Sequence, residues 1–220
     1  TNGRGEMIVR VAERAGLAKG RAWMPMHWGS QFMSTPGANA LACDAIDPYS
    51  KQPELKHAAV QIEKSDLSYP LTVIRRCADV SAALEMLQAA RGLLPAFGYA
   101  SVGLYGRSSP LVVFRAASAW PLGERSIADI DEIFGLAGDE GAIVYADPRR
   151  HIAKKAVALD GRLLGVRLAG ETLAQAWLKQ AMAEDELDAS LIRFALAPTA
   201  KPPVNVAPRN IVCKCADVSD

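Results

Sequence analysis

His27, Trp28, Asn39, Lys51, Gln52 and Glu54 fall within one stretch, residues 25–62, where Gly and Pro recur and little apolar periodicity appears before the end. Such a composition holds backbone and polar donors around a ligand better than it fills a core. The three histidines, His27, His57 and His151, have no metal-ligand spacing. An isolated histidine is commonly a satisfied structural residue. Only the company of Gly29, Gly37, Asn39 and the SKQPE turn raises His27 to a site candidate, and Asn39 or Lys51 alone would be an ordinary loop residue. Of four cysteines, Cys43 and Cys77 stand alone, while Cys213 and Cys215 are separated by one residue. A C-x-C turn seldom brings two Cβ atoms to disulfide distance, so the pair suits ligation, with structural or exposed thiols as the alternative.

These residues need elements to position them. Alternation of apolar residues over 6–11 predicts a strand, a second strand should end near Pro25, and Ala58, Val60 and Ile62 give a third. The segment would then be rich in strands yet too small to close its own sheet, so partner strands are expected elsewhere. Residues 64–70 have linker composition. Beyond them LTVIRR predicts a strand, and residues 80–94 a helix capped by Asp79 or Ser81, with Leu84, Leu87 and Leu94 on one face. Residues 101–116 suit a hairpin, and a short helix should open at Ser126 and stop at Gly135. Asp160-Gly161 between two extended runs, 154–159 and 162–169, is the strongest local hairpin signal in the chain. Helices are expected from Glu171 or Thr172 to about Ala183 and over 187–196, followed by a Pro-rich spacer at 197–210.

The 220 residues, half of them hydrophobic and 22% charged, are globular in composition. A net charge of +1, balanced in both halves, carries no footprint for nucleic acid. No apolar run is long enough for a transmembrane helix, and the first residues lack a signal-peptide layout. These features favour a cytoplasmic protein with no membrane partner. The absence of an initiator Met suggests a chain cut from something longer.

Arg4-Gly5, P-x-H-W at 25–28, N-A-L at 39–41 and A-I-D-P-x-S-K-Q-P-E-L-K at 45–56, ending in A-V-Q-I, together resemble the C-terminal part of a molybdopterin-dinucleotide-binding domain. That domain belongs to the bis-molybdopterin guanine dinucleotide oxidoreductases, which include bacterial nitrate reductases and formate dehydrogenases. The resemblance covers about residues 1–63 and implies half of a double-psi β-barrel. It also implies cofactor contacts from Arg4, Gly5, His27, Trp28, Asn39, Lys51, Gln52 and Glu54, since a long anion with pyrophosphates and pterins needs donors spread over loops. In the family any protein ligand to molybdenum comes from an earlier domain, and Cys43 falls where relatives often have Thr or a small residue.

IVCKCADVSD resembles the opening of a bacterioferritin-associated-ferredoxin-like module, in which a C-x-C and a later C-x-x-C hold a 2Fe–2S cluster. Cys213 and Cys215 would be two of its four ligands, so the present residues alone would hold no cluster. Residues 143–183 resemble the small ββα unit of flavin-dependent NADH–rubredoxin and NADH–nitrite reductases, without a Gly-rich dinucleotide fingerprint. Arg149, Arg150, Lys154 and Lys155 within it read either as a docking patch or as a solvated basic face.

The expected fold is mixed α+β. Residues 1–66 would form the barrel half, 70–196 a small α/β segment, 197–210 a linker and 211–220 the start of the iron–sulfur module. This order resembles the C-terminal portion of a bacterial assimilatory nitrate reductase catalytic subunit. The resemblance implies molybdenum bis(molybdopterin guanine dinucleotide), iron–sulfur clusters, nitrate as substrate and an electron donor that is a flavin reductase subunit or a ferredoxin. Another molybdopterin oxidoreductase, such as a formate dehydrogenase, and a non-catalytic accessory or electron-transfer protein are the alternatives. No catalytic residue can be named from these positions.

Overall fold

LTVIRR forms part of a strand near the middle of a six-stranded antiparallel sheet in the computed structural model, which describes residues 1–12, 15–26, 28–54, 57–106, 109–184, 189–202, 211–213 and 218–219. The elements in chain order are β1 (Tyr69–Arg76), α1 (Val80–Arg91), β2 (Tyr99–Tyr105), β3 (Leu111–Ser118), α2 (Glu124–Ile133), β4 (Ala142–Asp147), β5 (Ile152–Leu159), β6 (Arg162–Ala169), α3 (Gln175–Glu184) and α4 (Ala189–Ile192). A separate two-stranded pair, β7 (Ile211–Cys213) and β8 (Val218–Ser219), follows. The large sheet runs β2-β3-β1-β6-β5-β4, every neighbour antiparallel. The protein is therefore mixed α+β.

Both faces of the sheet are covered, so β1 buries apolar residues toward both sides. Leu71 and Val73 pack with Leu87 and Ala90 of α1 and Ile130 of α2. Ile74 turns the other way, into a cluster with Trp177, Leu178 and Met182 of α3 and Leu191 of α4. Asp79 caps α1 by accepting a hydrogen bond from the Ala82 amide at 2.9 Å. The buried face of α1 is Ala83, Leu87 and Ala90, whereas Leu84 is 51% exposed. Small residues let the helix lie close to the sheet, leaving Leu84 turned outward and Leu94 in a separate 3-10 turn, Leu94–Ala96. At Asp160-Gly161 both φ angles are positive, 51° and 74°, as a tight turn matched to strand twist requires.

Several helix ends differ from expectation. α2 begins at Glu124 behind Gly123, with no side-chain cap. α3 starts at Gln175 because the Glu171 carboxylate is taken by Lys154 and by the Leu173 amide. α4 is one turn long and continues as short-range turns such as the Phe194 amide to the Leu191 carbonyl, 2.9 Å.

The basic residues of β5 are a clear correction. Lys154 and Lys155 form neither a docking patch nor a solvated face, being 2% and 7% exposed. Successive strand residues point to opposite faces, so Lys154 meets Glu171 and the Leu196 carbonyl (3.0 Å), while Lys155 reaches Asp139 at 3.5 Å. A third charge, Arg167 on β6, grips Asp131 of α2 through two hydrogen bonds of 2.6 and 3.2 Å and also donates to the Ala153 carbonyl at 2.8 Å.

Residues 1–68 form none of the expected strands; their described backbone makes isolated bridges, short turns and one 3-10 turn, Ala38–Leu41. Extended backbone needs a neighbouring strand to satisfy its polar groups, and Val11 and Ile62 stay exposed at 76% and 69%. Order comes instead from docking on the sheet. The Ser34 amide donates to the Ala100 carbonyl and the Val102 amide to the Phe32 carbonyl, both at 2.9 Å, which buries Met33 beside the edge of β2. A second anchor is Gln175, whose Oε1 accepts from Arg10 (2.7 Å), Thr72 (3.1 Å) and Arg115 (3.1 Å). Burial, reinforced by the charge of Arg10, lowers the pKa of Arg115.

Replacing Arg167 with Ala leaves the Asp131 carboxylate buried and unpaired, and should lower unfolding free energy by about 3–5 kcal/mol in urea titrations. The double change Arg167→Met with Asp131→Leu should recover most of that loss.

Candidate functional site

Asn2 organises the first part of the site. Its Nδ2 donates to the Leu41 carbonyl (2.9 Å) and the Ala59 carbonyl (3.3 Å), and its Oδ1 accepts from the amides of Arg4 (3.0 Å) and Gly5 (3.2 Å). One side chain thus ties the Arg4-Gly5 turn to the 3-10 turn carrying Asn39 and to residue 59. Gly5 must lack a side chain here, since a Cβ would sit 2.8 Å from the Ala40 carbonyl oxygen. Arg4 is exposed, with Nη2 3.4 Å from Cys43 Sγ.

Trp28 and Asn39 line one open depression of about 420 Å³, with Met26, Pro36, Gly37 and Ala40. Gly37 makes that wall possible, because a Cβ on it would come within 1.9 Å of the Trp28 carbonyl oxygen. The Trp28 ring rests on β2, 3.4 Å from where a Cβ at Gly103 would stand. The depression is therefore built partly on the sheet. Another hollow of about 410 Å³, where Ser30 and Ser34 face Gln88 and Arg91 of α1, holds none of the expected residues.

Lys51, Gln52 and Glu54 occupy a separate turn that contributes nothing to the depression's lining. Asp47 holds it: Oδ1 accepts from the Tyr49 amide (3.1 Å), the Ser50 amide (2.6 Å) and the Ser50 hydroxyl (2.9 Å). The main chain closes through the Asp47 amide to the Gln52 carbonyl (2.9 Å), the Lys51 amide to the Asp47 carbonyl (3.0 Å) and the Glu54 amide to the Ala45 carbonyl (3.0 Å). Lys51 sits at φ 59°, a left-handed conformation, and its side chain is exposed. The Glu54 carboxylate accepts from the His57 amide at 3.1 Å. The bonds from Ser50, first its amide and then its hydroxyl, hold the Asp47 carboxyl below the ordinary carboxylate range.

His27 and Cys215 lie outside the described residues, and Cys213 is placed only by its backbone on β7. Among the described residues no three His, Cys, Asp or Glu groups cluster as metal ligands. Asn2, Gly37 and Asp47 are absent from the expected set. Asp-Pro-x-Ser is a turn signal that marks Asp47, but nothing local marks Asn2, whose partners are 39 and 57 residues away.

Arg4, Asn39, Lys51 and Gln52 present outward donors, and among the described residues no carboxylate pairs with Arg4 or Lys51. That donor set fits an extended anion. A family model described as "Molydopterin dinucleotide binding domain" matches residues 1–59. The N-terminal segment is similar to that family over those residues. The match spans every expected cofactor contact from Arg4 to Glu54. Over 59 residues the chain is 39% identical to a nitrate reductase of Klebsiella oxytoca and 41% identical to a nitrate reductase of Synechocystis sp.. Each alignment covers 27% of this chain, but only 7% and 8% of the respective relatives. No solved structure matches the chain.

Two changes within the matched residues have measurable outcomes. Gly37→Ala should push the Ala38–Leu41 turn off the Trp28 carbonyl, read as lost protection of the Ala40 amide, which bonds Gly37 at 3.0 Å. The depressed Asp47 carboxyl stabilises its turn fully above its unfolded pKa, and that contribution is lost as pH falls through the lower folded value. The Tyr49 and Ser50 amide resonances should therefore move together below about pH 4, and Asp47→Ala should give the low-pH spectrum of the turn at neutral pH.

Proposed function

We propose that this chain is the C-terminal part of a molybdenum oxidoreductase that reduces nitrate to nitrite in nitrate assimilation. The observation that carries the reading is the coincidence, within the matched residues 1–59, of exposed donors with no pairing carboxylate among the described residues. In the bound state Arg4 and Lys51 would neutralise phosphate charge. Asn39 and Gln52 would donate to phosphate or pterin oxygens, Gly5 would admit close backbone approach, Trp28 would line the wall, and His27 is a further candidate contact. Glu54 fits a cationic or N–H-bearing part of the ligand. The molybdenum group supplies the oxygen-atom transfer, with two electrons and two protons consumed as nitrate becomes nitrite and water. The residues of this chain bind and orient it.

On this reading residues 1–66 complete a double-psi β-barrel with strands from the remainder of the polypeptide, and residues 70–196 brace that barrel. After the linker at 197–210, Cys213 and Cys215 supply half the thiolates of a 2Fe–2S module in the cytoplasm. Electrons would enter there from a flavin reductase subunit or a ferredoxin. Among the described residues no helix is long and apolar enough to cross a membrane.

The test is metal and nucleotide analysis of the natively purified full-length polypeptide, with nitrate reduction driven by reduced viologen dye. Molybdenum and guanine nucleotide in a ratio of about one to two are expected for a bis-dinucleotide cofactor, and absence of both overturns the proposal. Lys51→Ala should weaken cofactor retention about tenfold or more, since a hydrogen bond to a charged group contributes about 1.5–3 kcal/mol.

A further inference from the structure

The six-stranded sheet has two edges, treated differently. The outer edge of β2 is covered by residues 32–34. The outer edge of β4 pairs with no strand among the described residues. Bare edges are ordinarily blunted by an inward charge, a Pro or a bulge. β4 has none of these within its span: Ile143, Val144 and Tyr145 are 40%, 63% and 46% exposed, and the terminal Asp147 folds its carboxylate back onto the amides of Arg149 (3.1 Å) and Arg150 (3.3 Å). The apolar residues lie on both faces. Val144 stands beside Lys155 on the α2 side, and Ile143 and Tyr145 beside Ala156 and Lys154 on the α3 side.

Backbone direction and flanking charge narrow the choice of occupant. The Gly141 carbonyl accepts from the Ala158 amide at 2.9 Å, so it points toward β5. Across a trans peptide the next N–H points the other way, and the Ala142 amide there meets the Asp139 carbonyl at 3.1 Å; the strand's alternation then turns the Ala142 carbonyl and the polar backbone groups of Val144 and Ala146 outward. At one end of the strand stand Asp139 and Glu140; at the other, Arg149 and Arg150. All four are exposed, and Asp139, although 3.5 Å from Lys155, has a side chain that is 98% exposed. An antiparallel partner of the same sequence brings the acidic end against the basic end twice. A parallel one sets acid on acid and base on base.

We infer that β4 is the site at which a second copy of this chain docks, pairing β4 with β4 antiparallel about a two-fold axis beside Val144. Ala142 then faces Ala146 of the other copy, Asp139 and Glu140 lie alongside its Arg149 and Arg150, and the two sheets join into one. Val144 of each copy covers the other, removing the most exposed apolar side chain of the strand from water.

Sedimentation equilibrium on the full-length polypeptide, with amide hydrogen exchange, tests this. A dimer is expected, with the Val144 and Ala146 amides protected as it forms. Glu140→Arg and Arg150→Glu should each weaken association about tenfold or more through like-charge contacts, and the two changes together should restore it. Val144→Lys should abolish it while leaving the unfolding midpoint near that of the parent. A monomer at all concentrations overturns the inference, as does a dimer that survives Val144→Lys or leaves those two amides unprotected.

Discussion

Every backbone N–H and C=O taken out of water needs a partner, and in this chain that constraint decides where the N-terminal segment comes to rest. Residues 1–68 contain extended runs but, among the described residues, no ladder of their own. They gain order by lending Phe32 and Ser34 to the edge of β2 and by threading Arg10 onto Gln175. The depression under Trp28 follows from that contact, because the indole lies against β2 and Gly37 passes beneath its carbonyl. The α+β unit is thus more than a spacer after the matched segment. It supplies part of the surface on which that segment is arranged.

Charge inside the unit serves a related purpose. Lys154, Lys155 and Arg167 lie at the sheet and reach in different directions, to Glu171, Asp139 and Asp131. Such pairs add little net stability over a well-packed apolar core, but removing one member is severe. Arg167 also holds the Ala153 carbonyl, so α2, β5 and β6 are fastened at one point. Arg75 contrasts with them. Its Nε and Nη1 are buried without a hydrogen-bond partner among the described residues, and desolvation lowers its pKa. Its positive charge partly offsets the upward push that burial gives the neighbouring Cys77 thiol.

How far the sequence can be read depends on the range of the interactions involved. The Asp160-Gly161 hairpin is legible because both of its left-handed residues are adjacent and its strands pair with each other. The Asp79 cap is legible because its partner is three residues away. Lys154 and Lys155 escape such a reading because their burial depends on Glu171, Leu196 and Asp139, groups that only folding brings near. The expected strands at 6–11 and 58–62 fail for the matching reason: alternation signals a capacity for pairing, while the ladder needs a neighbour.

Composition and local spacing by themselves determined the mixed α+β class, the turn chemistry from Ala45 to Glu54, and a stretch of polar donors suited to a ligand; that the ligand is a long anion was what the family resemblance implied. Those properties reside in side-chain chemistry and in bonds spanning a few positions. Only the tertiary structure decided that Asn2 joins Arg4, Gly5, Leu41 and Ala59, that Trp28 and Asn39 share a wall while Lys51 and Gln52 stand on another turn, and that one sheet edge is covered and the other bare among the described residues. Each of those outcomes depends on contacts between distant segments, whose closure is set by the packing of the whole sheet and leaves no local mark in the chain.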